Sequence, residues 1–445
     1  MNRQEAKVAQ LAENEGCGLD DLAVNSPEPT YPSDIPFMKS ISTLVLLLPL
    51  TASAELKSFP LFNGTDLTGW KGEGYVVEDG AIVCTPQGKN LMTERTFANY
   101  AFDFEFKLPP AGNNGIGIHY PGEGDPAYTG MEVQVLDDTA EKWKDLKPYQ
   151  YHGSLYTMVP AKKAPLKPVG EWNQERIMIN GDFVQVTLNG EVITEAKLSE
   201  LNEKFPKHEG AKRRSGHIAF CGHGDRVAFR GMRITEFAPA ANEEGAKQAG
   251  FTKIFDGETL KGWQHTEADL SHWKPVNGIL KYDGKAKDLW SEKEYGDFEL
   301  VFDWRWSGDG PVMKRPVIGP DGKETGAQVD VQELDSGIYL RGSSKSQVNL
   351  WNWPCGSGEV YGYRTDKSQP AEVIAGVTPK KKMDKPLGEW NRMKITMKGD
   401  KLSVALNGEV VLEEAQLPGV AAKGKIALQH HGSLIDFANI WIREL

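Results

Sequence analysis

The chain has 445 residues, of which 39% are hydrophobic and 25% charged, a globular composition long enough for two or three domains. Its formal net charge of −11 gives a field that repels nucleic acid, so no nucleic-acid partner is predicted. With 47 Gly, 26 Pro and 12 Trp and many Asn-Gly and Asp-Gly turns, the composition favours short β-strands over helices.

An export signal is predicted near the N-terminus. Met38 and Lys39 are followed by the apolar run SISTLVLLLPL and the small residues TASA, which is typical of a secretory signal cut after Ala54. Residues 1–37 are then either a misassigned start or an unstructured extension. No other apolar run is long enough to span a bilayer, so we expect a secreted or periplasmic mature chain without a membrane span.

One long phrase occurs twice in the chain. Lys167–Ile193 reads KPVGEWNQERIMINGDFVQVTLNGEVI, and Lys385–Val411 reads KPLGEWNRMKITMKGDKLSVALNGEVV. Other segments also match in the same order, as FNGTDLTGW (Phe62–Trp70) matches FDGETLKGW (Phe255–Trp263). This predicts a domain duplication, with copies at 55–238 and 251–445 joined by an Ala/Gly/Glu-rich linker at 239–250.

Within each copy the segments are short, alternate between apolar and polar residues, and end at turns. Such period-two alternation indicates antiparallel strands with one buried face. We therefore predict an all-β chain of two tandem two-sheet sandwiches or jelly rolls, each able to bind a ligand on a concave face. The repeated phrase reads as scaffold: strand, turn, strand, turn, strand, with Trp172 or Trp390 as a packing residue.

The cysteines do not form a metal-binding or disulfide framework. Cys17 precedes the predicted mature chain, and Cys84, Cys221 and Cys355 contain no C-x-x-C pair. Cys84 and Cys221 could pair in an oxidising compartment or remain buried thiols. The signatures of serine hydrolases, zinc proteases and nucleotide-binding enzymes are also missing from the sequence.

In the first copy the strand MEVQVLD supplies Glu132, Gln134 and Asp137. Glu132 and Gln134 share a face, whereas Asp137 has the opposite parity unless a bulge intervenes. The spacing is similar to the Glu-x-Asp-x-x-Glu strand of jelly-roll endoglucanases, although Gln replaces the central Asp. His119 and His223 are further polar candidates in this copy, and a neutral imidazole can serve as acid, base or ligand.

In the second copy the matching positions carry amides and an arginine. Gln347, Asn349 and Asn352 stand where the first copy has Glu132, Gln134 and Asp137, and Arg341 stands where it has His119. The candidate site set here also includes acids, indoles, one tyrosine and a histidine that matches His223: Glu333, Asp335, Trp351, Trp353, Tyr361 and His431. Amides, Arg and Trp together indicate a sugar site, and the alternative is a set of core tryptophans with surface charge pairs.

The sequence resembles the 3-keto-disaccharide hydrolase domain family. In each copy the resemblance rests on the F-[ND]-G-x-x-L-x-G-W opening, the [NS]-G-I strand, the G-E-W-N hairpin with L-N-G, and a final strand pair containing H-G. It implies a concanavalin-like jelly-roll fold and activity on carbohydrates, namely glycosides whose sugar is oxidised to a 3-ketone. Members of this family are known from secreted bacterial proteins.

A ketone at carbon 3 acidifies the hydrogen at carbon 2 and permits elimination of the anomeric substituent, after which water adds to the enone. Such a site needs a base, an acid and a group that stabilises the enolate. In the first copy the resemblance implies Glu132 or His223 as base and Asp137 as acid. In the second, Arg341 could hold the enolate while the proton-transfer candidates are His431, Glu333 and Asp335. No cofactor is predicted with certainty, and a divalent cation could replace the arginine, but no ligand set is legible.

Two other functions are compatible with these residues. The family tends to combine S-G-I-x-x-R and E-V-Q-V-L-D in one domain, whereas here the arginine is in one copy and the acids are in the other. This split favours a non-catalytic glycan-binding or cell-surface protein built from two lectin-like sandwiches. The third hypothesis is an ordinary β-glucanase. The oligomeric state, the glycoside and the active copy stay open.

Overall fold

The computed structural model describes residues 56–163 and 166–445. The predicted extension 1–37 and the signal segment 38–54 lie outside the described residues. Residues Leu56–Leu445 form one compact unit. No helix in the described part of the chain is long and apolar enough to cross a membrane.

The first copy contains the strands β1 to β13. In chain order they are β1 Phe59–Pro60, β2 Trp70–Gly72, β3 Tyr75–Glu78, β4 Ala81–Cys84, β5 Asn90–Thr93, β6 Tyr100–Lys107, β7 Asn113–Tyr120, β8 Met131–Leu136, β9 Trp172–Asn180, β10 Phe183–Leu188, β11 Glu191–Lys197, β12 His217–Cys221 and β13 Ala228–Glu236. An 8-stranded sheet has the order β11-β10-β9-β6-β13-β4-β3 with β1 beside β13, and a 5-stranded sheet has the order β2-β5-β12-β7-β8.

The second copy repeats this arrangement with the strands β14 to β28. They are β14 Thr252–Lys253, β15 Trp263–Gln264, β16 Trp273–Val276, β17 Ile279–Tyr282, β18 Leu289–Tyr295, β19 Phe298–Trp306, β20 Val312–Ile318, β21 Glu324–Gln332, β22 Asp335–Leu340, β23 Ser343–Trp351, β24 Asn391–Lys398, β25 Lys401–Leu406, β26 Glu409–Gln416, β27 Gly424–Leu428 and β28 Ile435–Glu444. The 8-stranded sheet runs β16-β17-β28-β19-β24-β25-β26 with β14 beside β28, and the 5-stranded sheet runs β15-β18-β27-β22-β23. Strands β20 and β21 pair only with each other.

Each copy is thus a sandwich of one large and one small antiparallel sheet, since the neighbouring strands pair antiparallel throughout. This confirms the prediction of two tandem concanavalin-like jelly-roll sandwiches. Buried apolar side chains from both sheets fill each sandwich in two separate clusters. Trp263, Trp273 and Trp304 belong to the cluster of the second copy and are core residues.

Helices are short and lie in the connections. The α-helices span Pro126–Thr129, Leu198–Lys204, Glu209–Lys212, Glu243–Gln248, Tyr361–Arg364 and Ala371–Gly376, and single 3-10 turns span Glu141–Trp143, Pro148–Gln150 and Asp269–Ser271. The stretch predicted as a linker therefore contains a helix. It begins after Asn242, whose side chain accepts a hydrogen bond from the backbone N–H of Gly245.

The repeated phrase forms the hairpins that its turn residues predict. Strands β9, β10 and β11 pair in sequence, and positive φ angles occur at the turn residues Gly181, Asn189 and Gly190. Trp172 is a packing residue, but it packs outside the sandwich core. It is half-buried over a small apolar cluster on the outer side of the large sheet, and the cations of Lys107 and Arg230 lie 4.9 and 4.0 Å from its ring centre.

The three described cysteines, Cys84, Cys221 and Cys355, are buried free thiols. The pairing of Cys84 with Cys221 that the sequence left open is therefore not formed in this structure.

A buried charge cluster joins the two sandwiches. The carboxylate of Glu236, at the end of β13, pairs with Arg95 at 3.0 Å from its own copy and with Arg305 at 2.9 Å and Lys281 from the second copy. Burial alone would raise the pKa of Glu236, but the three cations lower it to about 2. The copies thus share a polar contact that depends on an ionised carboxylate.

Candidate active site

In the second copy, the outer face of the small sheet carries a set of polar and aromatic side chains. Ile338 and Leu340 of β22 and Val348 and Leu350 of β23 point into the core. Because side chains alternate along a strand, the intervening residues point to the opposite face. With their counterparts on β18 and β27, these residues are Trp290, Asp335, Tyr339, Gln347, Asn349, Trp351 and Gln429. We call this surface the second small-sheet face.

Asp335 and His431 meet at one end of this face. The backbone N–H of Asp335 donates to Ser433 Oγ at 3.0 Å, which fixes the start of β22 against the loop that carries His431. The Asp335 carboxylate lies 3.5 Å from His431 Nδ1, and the His431 side chain is 52% exposed. Burial raises the pKa of Asp335 to about 6, and the negative charge of Glu333 adds to this effect. The carboxylate is therefore poised to take up or release a proton near neutral pH.

Glu333 forms an ion pair with Arg315 beside this site. Arg315 donates to the two Glu333 oxygens at 2.7 Å from Nε and 2.6 Å from Nη2, and its guanidinium lies 4.8 Å from the centre of the Trp353 ring. The indole N–H of Trp353 also donates to Glu333. This arrangement holds Glu333 in place.

Three amides line the middle of the face. The Nε2 of Gln347 donates to Gln429 Oε1 at 2.6 Å. The Gln347 side chain crosses Gly337 so closely that a Cβ there would lie 2.3 Å from Nε2. Asn349 is 3% exposed, and its Oδ1 accepts no hydrogen bond from the described residues. Asn349 Oδ1 is thus a buried acceptor whose lack of a donor costs folding free energy.

The aromatic residues of this face differ in their roles. Trp290 is half-buried, and its ring centre lies 5.6 Å from that of Tyr339, so the two rings form a platform on the sheet. Trp351 is buried and stacks on Trp353 at 4.2 Å with Arg315 on the other side of Trp353, so neither face of the Trp353 ring is free for a sugar. Tyr361 is exposed beside this stack, with its ring centre 6.0 Å from that of Trp351.

Arg341 and Asn352 do not join this group. The guanidinium of Arg341 is buried and donates to the backbone oxygens of Gly296, Gly399 and Ala421 and to the Asp297 carboxylate. These contacts make Arg341 a tie between loops rather than a cation for an enolate. Asn352 Nδ2 donates to the backbone oxygen of Gln332 at 3.1 Å.

The corresponding face of the first copy is covered. Glu132 and Gln134 point outward from β8, as predicted, but they are only 1% and 2% exposed. Gln134 Nε2 donates to Asn113 Oδ1 at 2.7 Å, and the Glu132 side chain crosses Gly115. The chain around Leu155 adds a bridge to the free edge of β8. The helix Pro126–Thr129 packs over the sheet, because a Cβ on Gly117 would lie 3.0 Å from Pro126 Cβ.

The other candidates of the first copy lie apart from Glu132. Asp137 follows the end of β8, where its two oxygens accept from the backbone N–H of Ala111 and the hydroxyl of Thr139, so it holds a turn. His119 is fully buried against the Ala98 carbonyl, and burial lowers its pKa to about 4. His223 lies half-buried in the turn after β12.

Three residues of the second small-sheet face were missed from the sequence, namely Trp290, Tyr339 and Gln429, and so was Arg315 beside it. Tyr339 has the same parity as Asp335 in the strand DSGIYL, and this signal could have found it. Trp290 lies on β18 and Gln429 directly follows β27, and these strands are distant from β22 in sequence but lie beside it in the order β18-β27-β22. Arg315 lies on the β20–β21 hairpin, which has no counterpart in the first copy, so alignment of the copies could not reveal it.

Within residues 56–163 and 166–445, no group of three or more His, Cys, Asp and Glu side chains is arranged to hold a metal ion.

The chain matches a known protein family in both copies. The family model described as a 3-keto-alpha-glucoside-1,2-lyase-like domain matches residues 57–235 and again 250–443. The chain belongs to this family. Each copy carries one match, and together the matches span most of the chain.

Individual relatives each match about one copy. A curated protein of Bacteroides thetaiotaomicron named 3-keto-disaccharide hydrolase is 28% identical over 269 residues, covering 49% of this chain and 90% of that protein. A solved structure from Parabacteroides distasonis ATCC 8503, provisionally named a glycosyl hydrolase, is 28% identical, covers 41% of this chain and 100% of its own, and has a TM-score of 0.37. The carbohydrate binding module CBM66 from Bacillus subtilis is 14% identical, covers 44% and 96%, and has a TM-score of 0.24.

Proposed function

We propose that this family member is a carbohydrate-active enzyme that cleaves 3-keto-glycosides by elimination followed by hydration, and that the second copy performs the chemistry. Family membership and the named relative support the class of substrate. The single observation that carries the assignment to the second copy is the Asp335–His431 pair at 3.5 Å on a face that also offers amides and an aromatic platform.

In the proposed reaction the sugar ring lies on Trp290 and Tyr339. The Asp335 carboxylate takes the proton from carbon 2, and the electron pair of that C–H bond moves toward the carbonyl at carbon 3. Amide N–H groups of the face stabilise the enolate oxygen that forms, as amide donors do in oxyanion holes. The enolate then expels the anomeric oxygen, which takes a proton from the His431 imidazolium.

The product of this step is an enone with a double bond between carbons 1 and 2, and the aglycone leaves as an alcohol. Water then adds its hydroxyl at carbon 1, and carbon 2 regains a proton. The net reaction is a hydrolysis without oxidation or reduction. The pKa of Asp335, raised by burial to about 6, suits a base that must work near neutral pH.

The decisive test is turnover of a 3-keto-glucoside in deuterium oxide. We expect an ultraviolet-absorbing enone, released aglycone, and 3-keto-glucose with one deuterium at carbon 2, while the unoxidised glucoside is not cleaved. Release of aglycone without deuterium at carbon 2 would contradict the elimination. Binding of glycosides without any turnover would favour the glycan-binding alternative, and cleavage of unoxidised β-glucan would favour an ordinary glucanase.

Export is the second part of the proposal. It is supported by the signal-like segment from Met38 to Ala54, which the sequence alone carries. Expression of the gene with its native start, followed by N-terminal sequencing of the exported protein, should find a chain that begins at Glu55. Retention of the whole product in the cytoplasm would overturn it.

A further inference from the structure

The second copy contains a hairpin that belongs to neither of its sheets. Strands β20 and β21 pair only with each other and stand directly before β22, which begins with Asp335. In the first copy the chain passes from Leu108 to the start of β7 through the short segment 109–112. The hairpin is therefore an addition to the copy that carries the proposed chemistry.

Pairing within the hairpin assigns its side chains to two faces. Met313 lies opposite Val331, and Arg315 lies opposite Val329, so these four side chains share one face. The other face carries Val312 and the exposed ion pair between Lys314 and Asp330.

The first of these faces is turned toward the proposed site. Its Arg315 reaches the Glu333 carboxylate and covers the Trp353 ring. The apolar side chains beside Arg315 are open to solvent, with Met313 41% and Val329 40% exposed. Leu434, three positions after His431, is 39% exposed and lies against Gly308 at the base of the hairpin. Exposed apolar side chains thus stand both on the hairpin and on the loop that carries His431.

The hairpin is also held at its tip. Gly322 in the turn packs so closely against the helix Ala371–Gly376 that a Cβ there would lie 2.6 Å from Ile374 Cγ2. Since both ends are fixed, the hairpin forms a wall beside the site.

We propose that the Met313 and Val329 face of the hairpin is the subsite for the leaving group, and that it selects glycosides with an apolar, aromatic aglycone. This inference rests on the proposed function. The occupant follows from the proposed site. His431 protonates the departing oxygen, and exposed apolar side chains lie on its own loop at Leu434 and on the hairpin, which Arg315 ties to Glu333 two residues before Asp335. A second sugar would present hydroxyl groups to Val329, which has no polar group, and to Met313, whose weakly accepting Sδ already lies 3.7 Å from Arg315 Nη2.

The test compares two substrates that differ only in the leaving group: 4-nitrophenyl 3-keto-β-glucoside and methyl 3-keto-β-glucoside. The double variant Met313→Ser, Val329→Ser should raise KM for the aryl substrate about tenfold, as expected for loss of an apolar contact, and change the methyl substrate less than twofold. The matched control Val312→Ser lies on the opposite face of the same hairpin and should change neither value.

The possible outcomes distinguish a failure of the proposed subsite from a failure of the proposed function. Equal effects of the double variant on both substrates, or no effect on the aryl substrate, would overturn the subsite while the proposed function stands. If the wild-type protein turns over neither substrate, the proposed function fails and the subsite is judged by binding. In that case, binding of unoxidised 4-nitrophenyl β-glucoside that the double variant weakens supports the aryl site, and unchanged binding overturns it.

Discussion

The two copies share the order of strands in their small sheets, but the side chains on the outer faces of those sheets differ. Asp335 begins β22 where Asn113 begins β7, and both are tied by their backbone N–H to the loop after the facing strand. At the centre of the sheet Tyr339 faces Ala427, whereas the first copy has Gly117 facing Ala219. The second copy has an acid and an aromatic ring where the first has an amide and a glycine.

The connection between the two edge strands accounts for much of this difference. In the first copy β7 and β8 are joined by residues 121–130, whose helix lies on the sheet over Gly117. In the second copy only Arg341 and Gly342 join β22 and β23, so nothing from this connection covers Tyr339. One small-sheet face is thus covered by a helix from the connection between its edge strands, whereas the other has no such cover from its own connection.

Removing one acid from each copy tests most directly which copy performs the chemistry. Asp335→Asn should lower kcat about 10³-fold on a 3-keto-glucoside, because an amide cannot take up the carbon-2 proton. The matched variant Glu132→Gln in the first copy should stay within twofold of wild type. Steady-state kinetics of both variants decide the question, and the reverse pattern would place the chemistry in the first copy.

A stability measurement shows whether Asp335→Asn is folded. Because burial raises the pKa of Asp335 from 3.8 to about 6, its ionisation costs folding free energy that appears as pH rises through this window and is fully present above it. The asparagine variant should therefore be more stable than wild type at pH 7.5, by about 1 to 3 kcal/mol, and this gain should vanish near pH 4. A lower melting temperature at pH 7.5 would contradict this expectation.

The contact between the two copies can be tested through the stability of the protein. Glu236→Ala removes the carboxylate shared by exposed Arg95, half-buried Lys281 and buried Arg305. Because Arg305 keeps Asp436 at 2.8 Å, we expect a loss of about 3 kcal/mol in unfolding free energy. The control Glu105→Ala breaks a partly exposed pair with Arg230 and should cost about 1 kcal/mol or less.

The pH dependence of this contact has the opposite sign to that of Asp335. Because the pKa of Glu236 is lowered from 4.5 to about 2, its contribution is present above pH 4.5 and is lost as pH falls toward 2. Thermal unfolding of wild type and Glu236→Ala should therefore converge at low pH. Equal losses for Glu236→Ala and Glu105→Ala at neutral pH would mean that the cluster does not hold the copies together.

A smaller effect on KM is expected when the central side chain of each small sheet is removed. Trp290 on β18 corresponds to Met92 on β5, because each faces the equivalent alanine of the neighbouring strand. Trp290→Ala should raise KM about tenfold with little change in kcat, through loss of apolar and stacking contact with the sugar. Met92→Ala should change neither constant. If the two variants behave alike, the aromatic platform is not a binding surface.

The smallest expected effect concerns the charge beside Asp335. The rate should rise with pH through about 6, since Asp335 acts as a base only when ionised. Glu333→Gln removes a negative charge that raises the pKa of Asp335 and leaves Arg315 unneutralised, so the rise should move to lower pH. Profiles of kcat/KM against pH measure this shift, and Glu132→Gln should leave the profile unchanged. A shift to higher pH would contradict the assignment.

The sequence predicted the candidate site only in part, and Arg341 shows why. By parity Arg341 shares a face with Asp335 and Tyr339, but its φ of 52° ends the regular strand, and its guanidinium turns to backbone oxygens. Asp335, His431, Gln347 and Asn349 were identified because they lie in strands or turns that align between the copies. Arg315 could not be, because its partner Glu333 is reached only when the hairpin folds back along the site.

The sequence by itself determined that this chain forms two β-sandwiches of one family. Alternation along a strand and Gly or Asn at a turn are local properties, and their repetition in the second half exposed the duplication. Which small-sheet face is covered by a neighbouring connection was decided only in the tertiary structure. That depends on where a short helix, a tight turn and an added hairpin come to lie against the sheets, and these contacts join residues that are distant in sequence.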